Sequence, residues 1–262
     1  MIGNLIFNLL FAHIIGDFYL QWPMLCRNKV MYSIKGKALW IHVLIVGILS
    51  VLVVWDVHAW WLGLLVMISH LLIDWLKSYL QLRYKIFDKS DSALALVDGE
   101  NRRYDLWMFV IDQIVHVVTL FLLAKIWLWV NDDWHQLVWL QNFAMNHRLE
   151  LNIIVAMLLV LKPANVLIVC ILEACKVNVN SVDGNNHGNF HSGELIGWLE
   201  RGLILLFVVM SQYEAIGFLI AAKSILRFTE ASSGNEKSEY VLSGTLLSLA
   251  ISLCLGLAVV KL

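Results

Sequence analysis

The chain has 262 residues, 60% of them hydrophobic and 15% charged, with a formal net charge of −1 and a mean hydropathy of +0.74. A soluble domain of this size does not carry several apolar runs of about 20 residues, and the short alternating segments of a membrane barrel are absent. What remains is an all-α polytopic membrane protein with about eight transmembrane helices, seven to nine by run length.

The first span covers Ile2–Leu20 and stops at Gln21-Trp22-Pro23, where proline punctuates the helix. With no basic leader and no small-residue cleavage site, it reads as a retained helix. Span two is Ala38–Trp55 and span three Ala59–Leu80. A polar stretch, Gln81–Tyr104, gathers Arg83, Lys85, Asp88, Lys89, Asp91, Arg102 and Arg103. Span four runs from about Asp105 to Val130, and the tryptophan-containing Asn131–Glu150 suits a membrane interface. Span five, Leu151–Cys175, contains Lys162-Pro163, which predicts a kink or break. An Asn/Gly-rich loop, Lys176–Gly193, precedes span six, Glu194–Ser211. A turn at Gln212-Tyr213-Glu214 leads to a short span seven, Ala215–Phe228, and an eighth span after Thr229–Ser238 closes at Leu262. The expected organisation is a metal-binding half, 1–130, and a second helical half, 131–262, in one integrated membrane domain.

Basic residues set the orientation. The loop after span one holds Arg27, Lys29, Lys35 and Lys37, and six basic residues counting Lys77 follow span three. The loop between spans two and three, Asp56 to His58, has none. This alternation places both termini outside the cytoplasm.

His70-Leu71-Leu72-Ile73-Asp74 organises the chemistry. Residues four apart share a helix face, roughly 6 Å apart along the axis, and ionisable groups at membrane depth usually mark function. The pair recurs at His13 and Asp17, and in reverse order at Asp112 and His116. Spans one and three run towards the cytoplasm and span four runs back, so reversal brings all three pairs to one depth. His42, near the start of span two, joins them. These seven residues, from four helices, are the candidate metal ligands. Imidazole with carboxylate and no cysteine suits a divalent transition metal, Zn²⁺ or Mn²⁺ foremost and Fe²⁺ next. Seven ligands exceed one tetrahedral shell, so they fit two metals, or one metal with partners that orient its histidines. The plain alternative for a lone membrane histidine is a helix-packing hydrogen bond, and the inverted pair argues against it. His58, His135 and His147 read as interfacial, and His187 and His191 sit in the Asn/Gly loop without a helical pattern. Cys26, Cys170, Cys175 and Cys254 form no CxxC pair. The segments around His13/Asp17 and His70/Asp74 also resemble each other, as two related hairpins would.

The second half holds Glu194, Glu200, Arg201, Lys223, Arg227 and Glu239. Internal ion pairing, such as Glu200 with Lys223, is one reading. The other is an anion site, in which Arg201, Lys223 and Arg227 bind a lipid phosphate or other phosphorylated substrate at the cytoplasmic leaflet. Nucleotide loops, Ser/His/Asp triads and nucleic-acid modules are missing from the sequence, so nucleic acid is not an expected partner.

Phe11-Ala12-His13-Ile14-Ile15-Gly16-Asp17-Phe18, His42, and His70-Leu71-Leu72-Ile73-Asp74 with Lys77 resemble the bacterial membrane family termed domain of unknown function 3307. So do Gly197-Trp198-Leu199-Glu200-Arg201, Ala221-Ala222-Lys223-Ser224-Ile225-Leu226-Arg227-Phe228, and Glu239-Tyr240-Val241-Leu242 with Gly244-Thr245-Leu246. That resemblance implies a multi-pass protein of the bacterial inner membrane and carries no activity with it. The HxxxD helices of the first half are similar to those of membrane-bound metal-dependent hydrolases. An intramembrane metal-dependent hydrolase is therefore the leading expectation. A metal-ion or proton transporter and a membrane scaffold with a structural metal are the alternatives. Membrane lipids are the expected partners; the sequence names no protein partner and leaves homo-oligomerisation open.

Overall fold

Stripes of residues about four apart, buried along each helix, set the architecture. The computed structural model describes residues 2–54, 56, 59–83, 102–131, 146–175, 189–228 and 235–261, and the regular structure among them is all helical. Two compact units divide the chain, Met1–Asn146 and His147–Leu262.

The first unit contains α1 (Ile2–Ile14), a π-helical turn (Ile15–Tyr19), α2 (Pro23–Tyr32), α3 (Lys37–Val54), α4 (Trp60–Arg83) and α5 (Arg102–Val130). α1 packs on α3 and α5, and α4 packs on the same two helices, which closes a ring of four. Pro23 occupies the first position of α2, where its missing N–H costs nothing. α2 meets the preceding helix at 94° and folds back against α3 and α4. On α4 the buried stripe reads Leu62, Val66, His70, Asp74, Ser78, and on α5 it reads Asp112, His116, Leu120, Ala124, Trp127. One half of each stripe is therefore apolar and the other polar. The apolar halves meet in a core of Leu5, Leu9, Val46, Leu62, Val66 and Trp127 with their neighbours. Outward positions such as Leu64, Ile68, Leu72 and Leu76 are exposed, as lipid-facing residues are.

The second unit contains α6 (Arg148–Ala174), α7 (Asn189–Val209), α8 (Tyr213–Phe228) and α9 (Asn235–Lys261). α6, α7 and α9 pack on one another, and α8 packs on α7. α7 begins before the expected Glu194. Ser211 at φ 58° closes it: its N–H donates to Val208 O at 3.0 Å and the Gln212 N–H to Phe207 O at 2.8 Å, the paired bonds of a left-handed cap.

Among the described residues, five segments are long and apolar enough to cross a membrane: Lys37–Val54, Trp60–Arg83, Leu106–Val130, Arg148–Ala174 and Leu242–Lys261. The bent α1–α2 pair makes a sixth if counted as one span. These helices agree with a membrane protein; α7 and α8, the sixth and seventh expected spans, fall outside this set. α8 has only 16 residues, and α7 carries Glu194, Glu200 and Arg201 within its 21.

α6 continues through Pro163 without the expected break. Proline removes the donor for the Leu159 carbonyl and crowds it, loosening the ladder locally. Arg201 of α7, only 3% exposed, supplies donors there. Its Nε donates to Val160 O at 2.8 Å, and its Nη2 to Leu161 O at 3.2 Å and to Asn165 Oδ1 at 3.3 Å. Arg201→Met should lower stability by about 2 kcal/mol or more, because it removes three hydrogen bonds that a buried guanidinium makes to α6. Unfolding of the purified protein in detergent measures this; wild-type stability in the variant would show that the guanidinium does not support α6.

Candidate metal centre

Each ligand candidate sits where an apolar stripe of the first unit turns polar. His13 is one residue from the end of α1, and Asp17 lies at the centre of the π turn, which the Leu20 N–H closes onto Ile15 O at 2.9 Å. Such widened turns recur at functional sites because they re-aim side chains. Gly16 lets this turn approach α3: a Cβ there would stand 2.7 Å from Val46 Cγ2.

The structure brings all seven candidates together. His70 lies at the middle, its ring centroid 5.0 Å from His42, 4.2 Å from His116 and 5.6 Å from His13. His13 stacks on His116 at 5.1 Å. His42 Nε2 and His70 Nε2 are 3.0 Å apart. Asp17 Oδ1 is 3.2 Å from His70 Nε2, 3.5 Å from His42 Nε2 and 3.6 Å from His13 Nδ1. Asp74 Oδ2 is 3.3 Å from His42 Nε2 and 3.8 Å from His70 Nε2. Ligands at about 2.0–2.1 Å from a divalent ion are themselves about 3.0–3.4 Å apart, close to these separations.

Hydrogen bonding leaves many of these atoms unanswered. Both nitrogens of His13, Asp17 Oδ1, His42 Nδ1, Asp112 Oδ1 and His116 Nε2 are buried without a hydrogen-bond partner. Buried polar groups are ordinarily satisfied, because leaving one bare costs free energy. His116 Nδ1 contacts the Asp112 carbonyl oxygen at 2.8 Å, and a carbonyl only accepts. The proton is thus on Nδ1 and the Nε2 lone pair points inward, the arrangement that orients metal-binding histidines.

Three groups of ligand atoms lie within 4.8 Å of one another: His13, Asp17 and His70; His42, His70 and Asp74; Asp74, Asp112 and His116. These buried His/Asp groups can hold a metal ion. The first and third share no residue, and His42 stands between them.

Two lysines also enter the centre. Lys29 of α2 donates to Asp74 Oδ2 at 2.9 Å, and Lys77 of α4 donates to Asp112 Oδ2 at 2.8 Å. The Gln21 amide, oriented to satisfy both its ends, accepts from Lys29 Nζ at 2.8 Å and donates to Asp17 O at 3.0 Å. In the sequence Lys29 read only as a topology-setting loop charge, and Lys77 as such a charge and as part of the family resemblance, neither as a member of the centre. Lys77 could have been found, since it lies three residues beyond Asp74; Lys29 depends on the fold-back of α2, which has no local signature.

The other candidates have different settings. Arg201 serves α6 as described, and Lys223 pairs with Glu200 of α7, the internal pairing that the sequence offered. Arg227 lies in α8, its side chain beyond the described residues. His58, His135 and His187 lie outside the described residues, His191 falls in the first turn of α7, and exposed His147 pairs with Glu150 at 3.7 Å.

Residues 5–145 match the family described as "Protein of unknown function (DUF3307)". The chain belongs to that family. The DUF3307 match covers all seven ligand candidates and both lysines and ends before the second unit, whereas the resemblance read in the sequence ran on to Leu246. No curated protein and no solved structure matches the chain.

Purified protein should contain a divalent transition metal, and replacing His70 and Asp74 together with alanine should lower that content sharply, since each belongs to two of the three groups. Elemental analysis measures both. Full occupancy in the double variant would remove these residues from the ligand set.

Proposed function

We propose that this chain is an intramembrane metal-dependent hydrolase of the bacterial inner membrane, acting on a lipid or phosphorylated substrate at the cytoplasmic leaflet. The observation that carries the reading is the pair of non-overlapping three-residue groups with polar surroundings on one side only. Three protein ligands with a remaining open position characterise catalytic metal sites, whereas structural sites are closed by four. In this reading two Zn²⁺ or Mn²⁺ ions occupy the outer groups. A bound divalent ion supplies Lewis acidity and lowers the pKa of a water.

The chain's own residues do the rest. His13 and His70 with Asp17 form one side, and His116 with Asp74 and Asp112 forms the other. The Nδ1–H bond of His116 to the Asp112 carbonyl fixes its ring. The apolar core from Leu5 and Leu9 to Trp127 closes the floor beneath the histidines and excludes water from that direction. A transporter would need polar groups to continue through this floor. Among the described residues there, Ser50 bonds Val46 O and Asn8 bonds Val53 O, so neither faces a continuing path. A topology of about eight membrane segments with both termini outside the cytoplasm places the open, carboxylate side towards the cytoplasm.

Metal-loaded protein should release product from a phosphorylated lipid. Chelation, or Asp112→Asn, should cut the rate by about a hundredfold or more. Phosphate release from a panel of phospholipids measures this, and equal rates in loaded and chelated protein would refute a metal-dependent reaction. Orientation is tested with Ser90→Cys in a chain lacking its native cysteines. An impermeant maleimide should label it only in permeabilised cells, and labelling of intact cells would reverse the topology.

A further inference from the structure

The mechanism just proposed leaves two cations of the centre unused. Lys29 and Lys77 come from different helices, yet both bond carboxylates of one ligand group, Asp74 and Asp112 of the Asp74–Asp112–His116 set. The set His13–Asp17–His70 has no lysine bonded to its carboxylate among the described contacts. A carboxylate oxygen of Asp74 lies within 4.8 Å of one of Asp112, and each lysine bonds one of these carboxylates, so the two cations border the same space. Lys77 is also the most open of these groups, its side chain 23% exposed against 2% for Asp74 and 4% for Asp112.

Charge decides what they can hold. Asp74 and Asp112 carry two negative charges and the lysines two positive ones, so the set is balanced with its histidine neutral. A divalent ion that takes the carboxylates leaves a charge of +2 in an apolar surrounding, where uncompensated charge is costly. A dianion restores the balance. A carboxylate brings one charge and two acceptor oxygens, whereas a terminal phosphate brings up to two charges and three oxygens. An ammonium has three donors; Lys29 uses its donors here on Asp74 and Gln21, and Lys77 on Asp112. Both can turn to a phosphate oxygen once a metal takes up the carboxylate.

We infer that Lys29 and Lys77 form an anion wall beside the Asp74–Asp112–His116 set and bind a terminal, dianionic phosphate group. This assignment rests on the reading of the centre as a metal site, and it moves the anion-binding role from Arg201 and Lys223, which have other partners, into the first unit. The phosphate has two conceivable carriers, a lipid such as phosphatidate or a soluble phosphate. Trp75, Leu76 and Tyr79, exposed beside Lys77, give an acyl chain an apolar flank.

The test uses the full chain in detergent, with metal content measured first and binding of radiolabelled orthophosphate measured second. Metal-loaded wild type should bind phosphate. Lys29→Met and Lys77→Met should each weaken binding by about tenfold or more, the worth of one charge-assisted hydrogen bond, with metal content unchanged. Lys29→Arg and Lys77→Arg should retain most of the affinity, which separates charge from packing should a methionine variant fail to fold. Phosphatidate in phosphatidylcholine nanodiscs should compete; competition stronger than by orthophosphate identifies a lipid carrier, and weaker competition a soluble one. Metal-loaded wild type that ignores both phosphates would overturn this inference and leave the metal centre standing. Methionine variants that bind phosphate like wild type, or that lose the metal, would also overturn it. Absence of metal from the wild type would instead defeat the underlying reading.

Discussion

Three carboxylates and four imidazoles buried in an apolar bundle cannot satisfy one another. Carboxylates only accept, a neutral imidazole donates once, and the two lysines that reach the cluster answer Asp74 and Asp112 alone. Asp17 Oδ1 meets three imidazole nitrogens at 3.2–3.6 Å, none of them in hydrogen-bond geometry. Groups aimed at one another would have closed to hydrogen-bond geometry; groups aimed at a common point stay at these separations. The first unit is arranged to hold that convergence. The π turn presents Asp17, Gly16 permits the approach to α3, and the fold-back of α2 brings Lys29 into a layer otherwise built by four helices.

Each helix of the ring changes character along its buried stripe, so the bundle has one dry end and one polar end. Trp61 and Trp127, with ring centroids 4.6 Å apart, fill the dry end. In membrane bundles this packing, rather than expulsion of water, holds helices together, so the apolar floor stabilises the unit as well as sealing it. The second unit meets a buried cation differently. Arg201 is taken up by main-chain carbonyls and an amide oxygen, with no carboxylate in its first contacts. Its charge meets main-chain dipoles of α6 at contact, with the carboxylates of Glu200 and Glu194 acting from further off.

Much of this was legible in residue spacing. His and Asp four apart gave the shared face, and the reversal at Asp112/His116 tied helix direction to depth. The ring places those residues in contact because an antiparallel neighbour must reverse its order to meet them. What stayed hidden depends on tertiary structure. A π turn differs from an α turn by one residue and leaves no periodicity over so short a stretch. Gln21-Trp22-Pro23 ends one helix whether the chain then leaves the bundle or folds back, so Lys29 looked like a loop charge. Pro163 suggests a kink or break in any isolated helix; α6 runs through it, and the donors that Arg201 brings to the carbonyls beside it come from another helix.

The sharing of His70 and Asp74 has a consequence for how the centre fills. A carboxylate can bridge two ions with its two oxygens, whereas a neutral imidazole serves one at a time. The central group, His42–His70–Asp74, therefore excludes the His13 group, while the two outer groups are compatible. If the groups hold metal, two ions could sit in the two outer groups, or in the central group and the Asp74–Asp112–His116 group with Asp74 shared, but never in the central and His13 groups together, so the three groups would not fill independently.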